Sequence, residues 1–298
     1  MAFDRNLSDT FITGLQNLAK DPSSWWSKIR KSKHLFVAIR KNTIGAYAGG
    51  ASIAKVGWKG SRCVLKVHKK YLVLPPKGPN YVELGDRQRG PDVQTVKSER
   101  DFAEHLDQIK EAAALLGGEE RAGANLVAAG HSCFLDLEAA FDGGDADDAG
   151  PGTQKRGRVD LVAVDSQGRL VFIEAKLHSN GELRSRRDVP DVCGQLADYA
   201  RWIDREGATI LEAYRRAWTL RQQLGLPRPS RMPEALDPIP RLLIFGFSSS
   251  DRTDLDGDVT KILEGLRTRL PRFGRQCVLR FGSPRSFHLE SARQRLGS

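Results

Sequence analysis

Two neighbouring apolar segments that carry charges constrain this chain most. Residues 157–164 read GRVDLVAV and residues 169–177 read RLVFIEAKL, with a short turn between them. Both segments have the apolar, β-branched composition of buried β-strands. A charge inside a buried strand needs a partner or a function. Asp160, Glu174 and Lys176 are therefore the first candidates for chemistry.

The expected strand register brings the two carboxylates together. A turn centred near Gln167 makes the strands antiparallel and places Glu174 opposite Asp160. Glu174 and Lys176 leave the same face of their strand about 6.5 to 7 Å apart. Facing carboxylates repel each other unless a cation or a proton lies between them. A hard ion such as Mg²⁺ accepts two carboxylates, a backbone carbonyl such as that of Ala175, and waters.

This combination predicts the hydrolysis of phosphodiesters. The Lys176 ammonium can orient or help deprotonate a water on the ion, and it can stabilise charge on a phosphoryl transition state. The alternative is structural, with Asp160 capping a strand end and Glu174 forming an ion pair with Lys176. The apolar surroundings of all three charges favour the catalytic interpretation.

The motif resembles a known nuclease signature. G-x-x-D-L-V at 157–162 followed by E-x-K at 174–176 resembles the core motif of the PD-(D/E)XK superfamily, with Val159-Asp160 in place of Pro-Asp. Gln195 and Tyr199 are similar to the Q-x-x-x-Y helix motif of its RecB-like branch. The motif order is also similar to that of the nuclease domain of NucS/EndoMS-like endonucleases. The resemblance implies a restriction-endonuclease-like fold and a DNA substrate, with RNA as the less favoured alternative.

The resemblance also implies a set of site residues. Those expected to be catalytic are Asp160, Glu174, Lys176, Gln195 and Tyr199. Mg²⁺ or Mn²⁺ is expected on Asp160, Glu174 and the Ala175 carbonyl. Ser98-Glu99-Arg-Asp-Phe102 resembles the first-helix glutamate motif of the fold, which makes Glu99 a further ligand and leaves Glu138 as the alternative. Gln195 and Tyr199 lie one helical turn apart, within reach of the metal site or the nucleic-acid backbone.

The remaining pattern predicts two domains, residues 1–90 and 95–298. The first contains short helices and a β-meander of four strands, and the proline-rich stretch 75–94 is interpreted as a linker. The second is predicted to be an α/β nuclease domain with a three-layer core and a mixed sheet. The elements expected there are helix 99–116, strand 133–141, the charged strand pair, helices 190–206 and onward to 224, strand 241–248, helix 258–270 and strand 277–282. Residues 142–157 are expected to form a mobile loop.

The net charge of +10 is concentrated at one end of the chain. Residues 1–98 hold 18 Lys and Arg against 6 Asp and Glu, whereas the remainder holds 29 against 31. Such a basic segment attracts polyanions, although a solvated face without a partner is the alternative. The solvent face of the meander is expected to carry Arg40, Lys55, Lys66 and Lys69. The expected nucleic-acid contacts are Lys55, Lys66 and Lys69, together with Arg184, Arg186 and Arg187 beside the candidate site.

Other sequence features indicate the cellular location and the class of function. No run of 18 apolar residues and no secretory signal is found, so we expect a cytoplasmic protein without membrane contact. The four cysteines are too widely spaced for a zinc or iron–sulfur motif. A nuclease of repair, restriction or phage defence is predicted. A non-catalytic or effector-dependent nucleic-acid-binding subunit is the alternative, and a homodimer or a defence-complex partner stays open.

Overall fold

The computed structural model contains both helices and strands. It describes residues 3–71, 81–84, 96, 98–141, 157–184 and 189–289. For residues 81–84 it describes the backbone alone. The helices are α1 (Asp9–Leu18), α2 (Trp25–Lys31), α3 (Glu99–Glu104), α4 (Leu106–Leu116), α5 (Glu119–Gly130), α6 (Val192–Gln223) and α7 (Arg252–Leu266). The strands are β1 (Phe36–Arg40), β2 (Thr43–Ala48), β3 (Ala51–Lys59), β4 (Arg62–His68), β5 (Tyr81–Leu84), β6 (Phe134–Ala140), β7 (Arg158–Val164), β8 (Arg169–Leu177), β9 (Ala235–Leu236), β10 (Arg241–Phe245) and β11 (Val278–Phe281).

The first sheet is an antiparallel meander in the order β1-β2-β3-β4-β5. Its first four strands lie where the alternating pattern and the turn residues predicted them. The fifth strand corrects the linker prediction, because residues 81–84 pair with β4 inside the stretch 75–94. The other residues of that stretch lie outside the described part of the chain.

Helices α1 to α4, together with Leu220 of α6, contribute to the core on one face of the first sheet. Ser8 begins α1 by accepting a hydrogen bond from the Phe11 N–H at 3.3 Å. Ser98 and Asp101 form a capping box at the start of α3. The predicted helix 99–116 is divided, since α3 ends at Glu104 and α4 begins at Leu106. Buried side chains of α1 to α4 and of the sheet form one apolar cluster.

The second sheet is mixed, which confirms the α/β class. Its strand order is β11-β10-β8-β7-β6, with β9 also paired to β8. The neighbours β8, β10 and β11 run parallel, whereas β6, β7 and β8 are antiparallel. The unbroken apolar run of β10 is buried throughout, as a strand covered on both faces requires.

Helices cover both faces of the second sheet. The sequence did not predict α5, which packs on one face with Gly123 so close to the Phe245 ring that a Cβ would lie 2.2 Å from it. On the other face, α6 is one helix of 32 residues rather than the two that were predicted. The helix α7 begins at Arg252, earlier than predicted, and packs beside α6. Among the described helices, none combines the length and the apolar character needed to cross a membrane.

A buried ionic cluster connects the two sheets. The Asp136 carboxylate on β6 binds Arg40 at the end of β1 and Arg5 Nε, the latter at 2.9 Å. The Tyr214 hydroxyl of α6 donates to the same carboxylate at 3.0 Å. Arg40 was expected on the solvent face but is 2% exposed, because its guanidinium is the partner of this carboxylate. The predicted domain division at 90–95 falls outside the described residues and stays a prediction.

The charge of Asp136 should be essential for stability. Burial alone would raise the pKa of Asp136, but Arg40 and Arg5 outweigh that effect and lower it. Asp136→Asn keeps the shape and leaves two guanidiniums without their counter-charge, so we expect a loss of about 3 kcal/mol or more in the free energy of unfolding. Urea unfolding at pH 7 measures this loss. Glu104→Gln, which removes an exposed ion pair with Arg100, should leave the midpoint unchanged. If Asp136→Asn lowered the free energy of unfolding as little as Glu104→Gln, the Asp136 charge would not be essential for stability.

Candidate active site

The hairpin of β7 and β8 brings the two predicted carboxylates to one place. Leu161 lies opposite Ile173, which confirms the predicted register and makes Asp160 and Glu174 the next facing positions. There a side chain continues the strand pairing, since Asp160 Oδ2 accepts a hydrogen bond from the Ala175 N–H at 2.9 Å. Both carboxyl groups therefore lie where the backbone ladder between the two strands ends.

Glu174 is buried and contacts a neighbour through each carboxyl oxygen. Oε1 lies 2.6 Å from the Lys176 ammonium. Oε2 accepts a hydrogen bond from the Tyr199 hydroxyl of α6, and that hydroxyl also lies 2.5 Å from the Arg158 carbonyl oxygen. Tyr199 reaches the sheet because it lies on the apolar face of α6, beside Trp202. The structure thus brings together four of the five residues predicted to be catalytic, Asp160 included.

Burial favours the protonated form of the two carboxyls in this site. Burial raises the pKa of Glu174 to about 8, and the Asp160 carboxylate adds to the shift. Burial also raises the pKa of Asp160, although hydrogen bonds with the Ala175 N–H and with Glu174 oppose it. Burial disfavours the charged form of Lys176, but Glu174 and Glu182 outweigh this effect and raise its pKa. At neutral pH the two carboxyls therefore tend to share a proton beside a charged ammonium.

Gln195, the fifth predicted catalytic residue, reaches the site through another side chain. Its Nε2 donates to Glu182 Oε2 at 3.3 Å, and the same oxygen lies 2.6 Å from Lys176 Nζ. Gln195 Oε1 is buried without a hydrogen-bond partner in the described part of the chain. The sequence did not identify Glu182, which follows β8 in a short turn and belongs to no motif.

Glu138 is a further carboxylate beside this cluster. On β6 it lies between Leu137 and Ala139, which pair with positions 161 and 159, so it faces Asp160. Its backbone φ is +57°, a left-handed conformation that costs a non-glycine residue of order 1 kcal/mol and is common at functional sites. Its Oε2 lies 2.6 Å from Arg158 Nε. Of the two predicted extra ligands, Glu138 is the one near the site.

The structure does not bring Glu99 to these carboxylates. Glu99 begins α3, and its Oε2 accepts a hydrogen bond from Trp25 Nε1 at 3.0 Å. Burial, with a contribution from Glu99, raises the pKa of Cys63 to about 12, which also places Glu99 at the first core. The predicted ligand assignment is therefore corrected. The prediction was wrong because the helix that directly precedes β6 in the chain is α5, not α3.

The unpredicted helix α5 supplies another carboxylate. Glu120 Oε2 accepts hydrogen bonds from the Leu177 N–H at 2.9 Å and from Asn180 Nδ2 at 2.6 Å. It thereby fixes the end of β8 directly after Lys176. The pair Glu119-Glu120 after Gly118 was a signal for a helix start, but glycines at 123 and 130 weakened the helical pattern.

The predicted nucleic-acid contacts beside the site are only partly described. Arg184 Nε lies 2.8 Å from Asp258 Oδ2 of α7, and its NH2 lies 2.9 Å from His178 Nε2. Arg184 is half-exposed and already paired, so its contact with phosphate stays a prediction. Arg186 and Arg187 lie outside the described residues.

The predicted lysines of the first sheet differ in exposure. Lys66 is exposed and Lys69 is half-buried. Lys55 is buried, which contradicts its placement on a solvent face. Lys55 lies opposite Gly45, and the Tyr47 ring packs over that glycine. Only Lys66 and Lys69 of this group lie where a polyanion could reach them.

The donor set fits a hard divalent cation. Asp160 and Glu174 supply adjacent carboxyl oxygens, the Ala175 carbonyl is the predicted third donor, and the buried Gln195 Oε1 is an acceptor for a water. Within the described ranges, no group of three or more His, Cys, Asp or Glu side chains is arranged to hold a metal ion. Mg²⁺ commonly binds through one or two carboxylates and keeps several waters.

Comparisons with known proteins found no match, since no family model, no curated protein and no solved structure matches this chain. What the site can do is therefore argued from its residues, their contacts and their charges.

Glu174 should make stability decrease as pH rises. The folded chain retains the Glu174 proton up to about pH 8, whereas the unfolded chain loses it near 4.3. Between these values the unfolded state binds fewer protons, so the free energy of unfolding decreases with pH. The side chain of the Glu174→Gln variant cannot ionise. Its free energy of unfolding, measured with urea from pH 5 to 8, should therefore decrease less steeply than that of the wild type, by about 1 kcal/mol per pH unit. Glu206→Gln should follow the wild type, and parallel profiles for all three proteins would refute the assignment.

Proposed function

We propose that this chain is a metal-dependent nuclease that hydrolyses phosphodiester bonds, with DNA as its preferred substrate. The observation that carries the proposal is the contact of the partly buried Asp160 carboxyl with the buried Glu174 carboxyl, beside the Lys176 ammonium. Two carboxyls in contact cost folding free energy unless a proton or a cation lies between them, and folding alone gives no reason to place them together. A site that binds a divalent ion and an anionic substrate explains this arrangement.

The proposal includes a restriction-endonuclease-like core for the second sheet. Its support is the resemblance of the Asp160, Glu174 and Lys176 motif to that of PD-(D/E)XK nucleases, together with a mixed sheet covered by helices on both faces. The helix motif agrees in part, because Tyr199 contacts Glu174 directly whereas Gln195 acts through Glu182.

In the proposed mechanism each side chain has one task. Asp160, Glu174 and the Ala175 carbonyl would hold Mg²⁺ or Mn²⁺, and the chemistry that such an ion would supply is charge neutralisation at the scissile phosphate and activation of a water. Lys176 remains charged, so it orients that water and stabilises negative charge on the phosphoryl oxygens rather than serving as a base. The Tyr199 hydroxyl holds Glu174 in the orientation that ligation needs.

The first sheet is proposed to bind the nucleic-acid backbone. The basic excess of the chain lies in residues 1–98, and Lys66 and Lys69 of this part reach the surface. Contacts with phosphates release condensed counterions and require no particular sequence. The near-neutral remainder of the chain then contributes the cutting site rather than the main affinity.

Cleavage should depend on Asp160 and Lys176. Asp160→Asn and Lys176→Ala should each reduce the rate of nicking of a supercoiled plasmid in Mn²⁺ by about 100-fold or more, because each removes a charge that acts on the transition state. The control is Asp198→Asn, the same chemical change at an exposed ion pair with Arg201 on α6, which should cleave normally.

The outcomes of this assay separate the candidate functions. Undiminished cleavage by both site variants would overturn the assignment. A wild-type chain that binds Mn²⁺ in calorimetry but cleaves nothing would favour the effector-dependent nucleic-acid-binding subunit instead.

Charge reversal on the first sheet should weaken DNA binding without affecting the metal site. Lys66→Glu with Lys69→Glu should reduce the slope of log affinity against log salt by about 2, one for each phosphate that a lysine no longer neutralises. Fluorescence anisotropy with a labelled duplex measures the slope. Lys261→Glu with Arg267→Glu makes the same charge change on exposed positions of α7 and the residue after it, and an equal effect of both pairs would argue against a binding face on the first sheet.

A further inference from the structure

The turn after β8 holds Glu182 in a fixed place. Asn180 caps the turn, with its Oδ1 accepting from the Glu182 N–H at 2.8 Å and its Nδ2 donating to Glu120 of α5 at 2.6 Å. Leu183 is fully buried in the core between α6 and α7. Arg184 Nε then lies 2.8 Å from Asp258 of α7. Because three neighbours fix this turn, the position of Glu182 is determined by the fold.

Glu182 and Glu174 hold the Lys176 ammonium between them. Each carboxylate places one oxygen 2.6 Å from Lys176 Nζ. Gln195 Nε2 donates to the same Glu182 oxygen at 3.3 Å. The Lys176 side chain is 7% exposed, whereas that of Glu182 is 42% exposed. Glu182 therefore lies at the rim of the site and reaches inward to a buried cation.

The two carboxylates are not equivalent partners for the ammonium. Glu174 is a proposed ligand, and a carboxylate that shares its charge with a divalent ion attracts an ammonium less. The ion and the ammonium also repel each other. Glu182 is the partner that can keep Lys176 in place under these conditions. Without it, Lys176 would compete with the ion for Glu174.

We propose that Glu182 is a positioning residue for Lys176, and that Gln195 of the helix motif acts by orienting Glu182. This inference rests on the proposed function of the site. Glu182 keeps the ammonium beside the carboxylates while leaving the oxygens of Glu174 available to the ion. Its effect on metal binding should therefore depend on the presence of Lys176.

A double-mutant cycle with calorimetry of Mn²⁺ binding tests this dependence. Glu182→Gln should weaken Mn²⁺ binding by about tenfold, a typical effect of changing a residue that supports a metal ligand. In a Lys176→Met background the same substitution should change the affinity by about twofold or less. Glu206→Gln, the same change at an exposed ion pair with Arg205, should change nothing. An equal weakening with and without Lys176, or none at all, would overturn the proposal.

A second measurement separates failure of this proposal from failure of the metal site. The acylation rate of Lys176 at fixed pH, measured by mass spectrometry, reports how firmly the ammonium is held without any metal. Glu182→Gln should raise this rate at least about threefold, and Glu206→Gln should not, because loss of the 2.6 Å contact with Glu182 leaves the Lys176 side chain free to reach the solvent and the reagent. A wild type that binds no Mn²⁺ would reject the metal site and leave this rate as the deciding result. An unchanged rate in Glu182→Gln would reject the positioning role.

Discussion

The antiparallel register of β7 against β8 determines what the rest of the candidate site can be. A slip of one residue would turn every side chain of one strand to the opposite face of the sheet. In the observed register Asp160 and Glu174 are adjacent, and α6 brings Tyr199 onto them. The turn that follows β8 then places Glu182 beside Lys176. Each of these contacts requires the register of this hairpin.

Two carboxylate clusters in this chain differ in the number of their cationic partners. This difference distinguishes a structural cluster from the proposed metal site. Asp136 has two guanidinium partners, which lower its pKa and connect the sheets. Asp160 and Glu174 share the Lys176 ammonium, with Arg158 also acting on Asp160, and burial still raises the pKa of both. A carboxylate with two cationic partners has no need of an added cation, whereas a carboxyl pair short of positive charge has a reason to bind one.

Sequence reasoning predicted the parts of the site that local geometry controls. Strand alternation and a short turn were sufficient to pair Asp160 with Glu174. The same reasoning could not find Glu182, because it enters through a turn whose path depends on contacts with α5 and α7. It selected Glu99 because Ser98-Glu99-Arg-Asp-Phe102 resembles a first-helix glutamate motif, and only the packing shows that α5 rather than α3 contacts the end of β8. Lys55 was misplaced because alternation does not indicate what covers the second face of a sheet.

The central claim is that Asp160 and Glu174 together bind a divalent cation. Anomalous diffraction from crystals soaked in Mn²⁺ tests it most directly, because the signal locates the ion independently of any activity. A peak is expected between these two carboxylates in the wild type, and no peak there in Asp160→Asn. Saturating Mn²⁺ with no peak at that position, or a peak that persists in Asp160→Asn, would contradict it.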